Sequence, residues 1–122
     1  MKSHSLLSAF GSNTPAFGAW VTLPGAFNAR TVALASPHLS WITIDCEHGL
    51  VPLVPDVAGI VSAIEGVRKQ PGDIPISTLV RIPATGVSNS SSWQIKHALD
   101  AGARGVVVPL VWSSFHRSPI RR

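Results

Sequence analysis

The sequence predicts an α/β fold built on a parallel sheet, and three observations carry that prediction. Short apolar runs alternate with segments of helical periodicity in the order βαβαβαβ, the pattern of parallel strands joined by crossover helices. Charge is excluded from these runs and gathers where they stop: Asp45, Glu47 and His48 after the second run, Arg81 near the end of the third. Glycine and proline, ten of each in 122 residues, fall between the runs as punctuation. Four parallel strands with right-handed crossovers build either an open doubly wound sheet or half of an eight-stranded barrel. A GxGxxG turn after the first strand and a P-loop are both missing, which argues against a nucleotide-binding sheet. Charge at the strand exits favours the barrel, which places its chemistry on that face.

Each element has its own local reason. Residues 1–16 form a lead in which SLLSAF is too short for a secretory core, with no small-residue cleavage site after it. FGAWVTL (17–23) reads as the first strand, followed by a Pro24-Gly25 turn. Ala29, Val32, Ala33 and Ala35 predict a helix over 28–36 that Pro37 ends, and 39–45 is the second strand. Leu53, Val57, Ile60, Val61, Ile64 and Val67 recur at three- and four-residue intervals, one face of an amphipathic helix, with Asp56 as a first-turn acid. Residues 70–73 are a polar turn, and ISTLVRI (76–82) is the third strand. A Gly/Ser/Asn loop over 84–92 leads to Ser92, placed to cap a helix over 93–101 that Gly102 stops. GVVVPLV (105–111) reads as a fourth buried strand.

Composition narrows the function classes. At 45% hydrophobic the chain can build a core, its length allows one domain, and its longest apolar runs fall far short of a membrane span. The net charge of +4 is a property of the tail: Arg117, Arg121 and Arg122 lie in 112–122, and residues 1–111 carry seven basic against six acidic side chains. No basic face with interleaved aromatics is present, so neither a nucleic acid nor a membrane is expected as partner. The single cysteine, Cys46, excludes an internal disulfide and fits a reducing, cytoplasmic compartment.

The most informative segment is WITIDCEHG (41–49). Asp45 and Glu47, two apart, share a side of an extended chain, and His48 follows at a turn where Gly49 can take angles other residues avoid. Carboxylates and an imidazole at a buried strand's carboxyl end are the residue types of an α/β active site. The bland alternative makes Asp45 a loop cap, His48 a surface turn residue and Arg81 a strand-end arginine paired with a surface carboxylate. Cys46 as a thiol nucleophile is the weaker reading, because strand neighbours point to opposite faces. His38 and His97 read as surface residues, His116 lies in the tail, and Trp20 and Trp41 read as packing residues.

GAWVTLPGAFNARTVALAS, WITIDCEHG, LVRIPATG and IKHALDAGARGVVVPLV follow one another in order across 17–111. In this the chain resembles the HpcH/HpaI aldolases, the 2-keto-3-deoxy sugar-acid or 2,4-dihydroxyhept-2-ene-1,7-dioate class II aldolases. The resemblance implies the first half (βαβαβαβ) of a TIM-type (β/α)8 barrel, truncated, with a non-family basic tail over 112–122. It implies cleavage of 4-hydroxy-2-oxo acids to pyruvate and an aldehyde. It implies His48 as catalytic base, Arg81 as the substrate-binding arginine on the developing enolate, and Asp100 as the carboxylate that orients His48. Asp45 and Glu47 match acids near the water shell of a divalent metal (Mg, Mn or Co).

The family's direct metal ligands lie on later strands, so no direct ligand is expected among these residues. The resemblance further implies a homo-oligomer as the full-length form. The alternative expectation is a catalytically inactive fragment, or a half-barrel that needs a partner to cover its open strand edges.

Overall fold

In the computed structural model, residues 4–67, 74–84 and 91–111 are described. Within them helices and strands alternate: α1 (Ser5–Ser12), β1 (Phe17–Val21), α2 (Ala26–Leu34), β2 (Leu39–Asp45), α3 (Asp56–Glu65), β3 (Ser77–Arg81), α4 (Ser91–Asp100) and β4 (Gly105–Val107). The strands form one parallel sheet in the order β1-β2-β3-β4. The alternation read from the sequence therefore holds, and the topology is that of half of an eight-stranded β/α barrel. No described helix is long and apolar enough to cross a membrane.

The two faces of the sheet differ because strand side chains alternate. One face sends Val21, Ile42, Ile44, Val80 and Ile82 against the helices, where they meet Ala29 and Ala33 of α2, the Val57, Ile60, Val61 and Ile64 stripe of α3, and Ala98 of α4. These side chains are fully or almost fully buried. Each large one contributes ~1.5–3 kcal/mol relative to exposure. The other face carries Trp20, Trp41, Thr43, Leu79 and Val107, which with Leu6 and Phe10 of α1 line an open cavity of about 400 Å³.

The boundaries shift for local reasons. β1 ends at Val21 rather than at 23, because the Thr22 carbonyl leaves the ladder to accept the Leu50 N–H at 2.7 Å. α2 starts two residues earlier than expected, directly after Gly25, whose φ of 100° a side chain would strain. α4 also begins earlier, at Ser91, so Ser92 lies in its first turn instead of capping it. Gly102 is the stop the sequence indicates, with φ 100° and its N–H donating to the Leu99 carbonyl. β4 is three residues long, not seven: Pro109 has no N–H to donate, and Leu110 turns into the left-handed region at φ 50°.

α1 was not expected. It is anchored by partners far away in sequence: His4 Nδ1 lies 2.5 Å from Ser77 Oγ, Leu6 N–H donates to the same oxygen at 2.9 Å, and Ser5 Oγ donates to the Pro75 carbonyl at 2.5 Å. Residues 70–73, most of the 84–92 loop, His116 and the 112–122 tail lie outside the described residues.

Candidate active site

Parallel pairing aligns Asp45, the last residue of β2, with Arg81, the last residue of β3. Both side chains fall on the face turned away from α2, α3 and α4, at the carboxyl edge. The Arg81 guanidinium grips Asp45 with two hydrogen bonds, Nε–H to Oδ1 at 2.9 Å and Nη2–H to Oδ2 at 2.6 Å. This is the fork geometry that only arginine provides. Arg81 Nη1 stands 3.3 Å from Glu47 Oε2, and the same Glu47 oxygen is 3.6 Å from His48 Nε2. Glu47 thus bridges the guanidinium and the imidazole.

Asp45 also shapes the loop that carries its neighbours. Its Oδ1 accepts the backbone N–H groups of Glu47 at 3.0 Å and His48 at 3.1 Å, folding the chain back over the strand end. Gly49 completes this turn. Its role is space rather than an unusual φ: a Cβ there would lie 2.3 Å from the Asp45 carbonyl oxygen. The Arg81 hydrogen bonds hold the Asp45 carboxyl at about 2, below its ordinary 3.8, with the two loop N–H groups adding to them against the opposing cost of burial. The same contact raises the Arg81 pKa. The loop-cap alternative for Asp45 therefore describes a real contact, while the carboxylates that Arg81 pairs with, Asp45 and Glu47, are buried at the site rather than surface groups.

The structure brings Asp45, Glu47, His48 and Arg81 together, and it does not bring Asp100 to them within the chain. Asp100 ends α4, which runs back along the sheet toward the start of β4, so it sits at the amino edge. Its carboxylate is exposed and pairs with Lys96 one turn earlier. Within one chain Asp100 pairs with Lys96 rather than with the imidazole, because a crossover helix that starts above the carboxyl edge finishes below the amino edge. Cys46 points into the helix-side core, where burial pushes its thiol up to about 11. That leaves it un-ionised and unsuited to nucleophilic attack.

The acids do not fit an inner-sphere set for a hard divalent ion, which prefers several free oxygen ligands. Both Asp45 oxygens face Arg81, and Glu47 Oε2 is shared between Arg81 and His48. Among the described residues, no group of three or more His, Cys, Asp or Glu is arranged to hold a metal.

Sequence reasoning missed one contact. Trp20 is not only a packing residue: its ring centroid lies 4.6 Å from Arg81 Cζ. The usable signal was a bulky aromatic one residue before the end of β1, on the same side as the strand-end charges.

No family model matches this chain. It is 30% identical over 113 residues to a hydroxypyruvate/pyruvate aldolase of Agrobacterium fabrum, covering 93% of this chain and 37% of that protein. A hydroxypyruvate/pyruvate aldolase of Paraburkholderia phytofirmans is likewise 30% identical over 113 residues, covering 92% of this chain and 38% of the relative. Among solved structures, the crystal structure of macrophomate synthase superposes with a TM-score of 0.62 at 26% identity, over 89% of this chain and 33% of that one. The chain therefore spans little more than a third of the curated relatives it matches. Its fold superposes on a third of the macrophomate synthase chain, and its sequence is similar to proteins named as aldolases.

Proposed function

We propose that the carboxyl-edge cluster is the substrate end of an HpcH/HpaI-type aldolase site acting on 4-hydroxy-2-oxo acids. The observation that carries this reading is the Asp45–Arg81–Glu47–His48 chain of contacts at the mouth of two adjacent parallel strands. The reaction needs a base for the C4 hydroxyl proton and a fixed cation for the enolate. Loss of that proton lets the C3–C4 bond break; the aldehyde leaves, and the electron pair stays on the pyruvate fragment as its enolate. Protonation of that enolate at C3 gives pyruvate. His48, exposed at the loop tip with Glu47 beside it, suits proton transfer. Of the five N–H groups of Arg81, three serve Asp45 and Glu47, which leaves donors on the terminal nitrogens for the enolate oxygen.

One observation favours a second reading beside it, in which this chain holds only part of the site. The carboxylates are committed to Arg81, so a divalent ion would draw its ligands from beyond the described residues. Both readings are tested together. Oxalate, a planar dianion shaped like the pyruvate enolate, is expected to shift the His48 and Arg81 resonances in NMR titration, and Arg81→Lys is expected to remove the shift. No binding at millimolar oxalate sinks the aldolase reading. In a coupled pyruvate-release assay with added manganese or magnesium, the chain alone is expected to turn over negligibly. Robust metal-dependent turnover, abolished by His48→Ala, removes the partial-site reading and keeps the aldolase.

A further inference from the structure

The carboxylates hold Arg81 from the edges of its guanidinium plane, which leaves the faces of that plane open. Arg81 Cζ lies over the Trp20 indole, 4.6 Å from the ring centroid, within the range where a cation is attracted to an aromatic face. Trp20 stands on β1 and Arg81 on β3, so the contact crosses the whole of β2. It can do so because Thr43, the residue paired with Trp20 on β2, is small and buried.

The indole is itself propped. Trp41 meets Trp20 edge-to-face, with centroids 6.4 Å apart and planes at 89°, and Trp41 Nε1–H donates to the Ala16 carbonyl at 3.3 Å. The Trp41 ring lies on β1 at Gly18, where any Cβ would fall 1.9 to 2.4 Å from its ring atoms. Hydrophobic burial does not explain this arrangement, since Trp20 remains 44% exposed. A relay of contacts runs from Gly18 through Trp41 and Trp20 to the guanidinium of Arg81.

We infer that Trp20 is a positioning residue for Arg81. With the cation seated over its ring, it restricts how the guanidinium can swing, while Asp45 and Glu47 hold its edges and set where the unpaired N–H groups point. Arg81 is thereby held ready for a planar anionic ligand before the ligand arrives, and less ordering remains to be done on binding. The proposal rests on the keto-acid reading only for the identity of that ligand.

The test is NMR on the chain as it stands. Nuclear Overhauser contacts are expected between the Trp20 ring protons and the Arg81 δ and ε protons, and their absence in the wild type overturns the proposal without any variant. Trp20→Leu is expected to speed hydrogen exchange at Arg81 Nε–H roughly fivefold, whereas Trp20→Phe, which keeps an aromatic face, stays within about twofold. A folded Trp20→Leu with the wild-type exchange rate also overturns it. Should Trp20→Leu not fold, Gly18→Ala replaces it: its Cβ displaces Trp41 without touching Arg81, and the same acceleration is expected. An unchanged rate in folded Gly18→Ala breaks the relay. Oxalate affinity should follow the exchange rates, roughly fivefold weaker in Trp20→Leu and restored in Trp20→Phe. If the wild type binds no oxalate, the keto-acid reading fails alone, and the exchange rates still decide the role of Trp20.

Discussion

The same kind of contact, a carboxylate against a basic side chain, occurs at both ends of this sheet with opposite consequences. At the carboxyl edge, Asp45 and Arg81 pair with side chains 3% and 22% exposed. At the amino edge, Lys96 and Asp100 pair one helical turn apart with side chains 74% and 60% exposed. Water screens the second pair, and two long side chains must be ordered to make it, so little net energy remains. The first pair is withdrawn from water, which makes each partner indispensable to the other. It is tied to the loop as well, because Asp45 spends Oδ1 on two backbone N–H groups in addition to Arg81. Burial and connectivity distinguish a contact that organises a site from one that decorates a helix.

The largest expected effect comes from removing Arg81. Arg81→Met leaves the Asp45 carboxylate buried without its counter-charge, and breaking a buried pair from one side typically costs ~3–5 kcal/mol. Urea unfolding should show that loss as a lower midpoint at unchanged slope. A loss below ~1 kcal/mol would mean that the carboxyl-edge pair is as solvent-screened as the amino-edge one, and the contrast would collapse.

Much of this was legible in the sequence. The strand order followed from sequential alternation, and the pairing of Asp45 with Arg81 was foreshadowed by charges at the ends of adjacent strands. Other features depended on distance. α1 lacks a side-chain cap and an acidic first turn, and it is secured by bonds to Pro75 and Ser77, some seventy residues away. The sequence suggests backbone angles as the reason for Gly49, whereas the structure shows how closely the chain folds onto the Asp45 carbonyl. The Trp20–Arg81 contact was hidden because it spans two strands, and nothing in either local pattern states how small the residue between them must be. Asp100 shows the converse. The resemblance joins it to His48, whereas within the chain its exposed carboxylate pairs with Lys96.

The next effect in size is one of pH. Asp45 sits at about 2 in the folded chain against an ordinary 3.8. The folded value is the lower one, so the stability it brings is complete above pH ~4 and is lost as pH falls from there toward 2. A shift of this size corresponds to ~2 kcal/mol. Unfolding free energy measured between pH 5 and pH 2 should therefore fall more steeply, by about that amount, in the wild type than in Asp45→Asn. Asp45→Asn begins from a lower stability but has no carboxyl to protonate there. Parallel curves for the two proteins would show that Asp45 is not the group that titrates, and would detach the acid response from the carboxyl edge.

The smallest effect is expected at the amino edge, and it sharpens the comparison most because it predicts nearly nothing. Lys96→Ala removes one partner of an exposed i,i+4 pair, for which measured contributions run ~0.3–0.5 kcal/mol. The lysine is also the less favourable member of its orientation: it precedes the acid, and Asp100 stands at the helix C-terminus, where the macrodipole opposes a negative charge. Removing the lysine should therefore lower the midpoint of urea unfolding by no more than the measurement resolves. Raising salt from about 0.05 to about 0.5 M, over which the Debye length drops roughly threefold, should erase whatever remains. Asp100→Asn should be equally silent, and should leave the His48 and Arg81 resonances of the monomeric chain unmoved. A loss above ~1 kcal/mol in Lys96→Ala, or a shift of the His48 signals in Asp100→Asn, would show that the two ends of the sheet are coupled in a way their geometry within one chain does not provide.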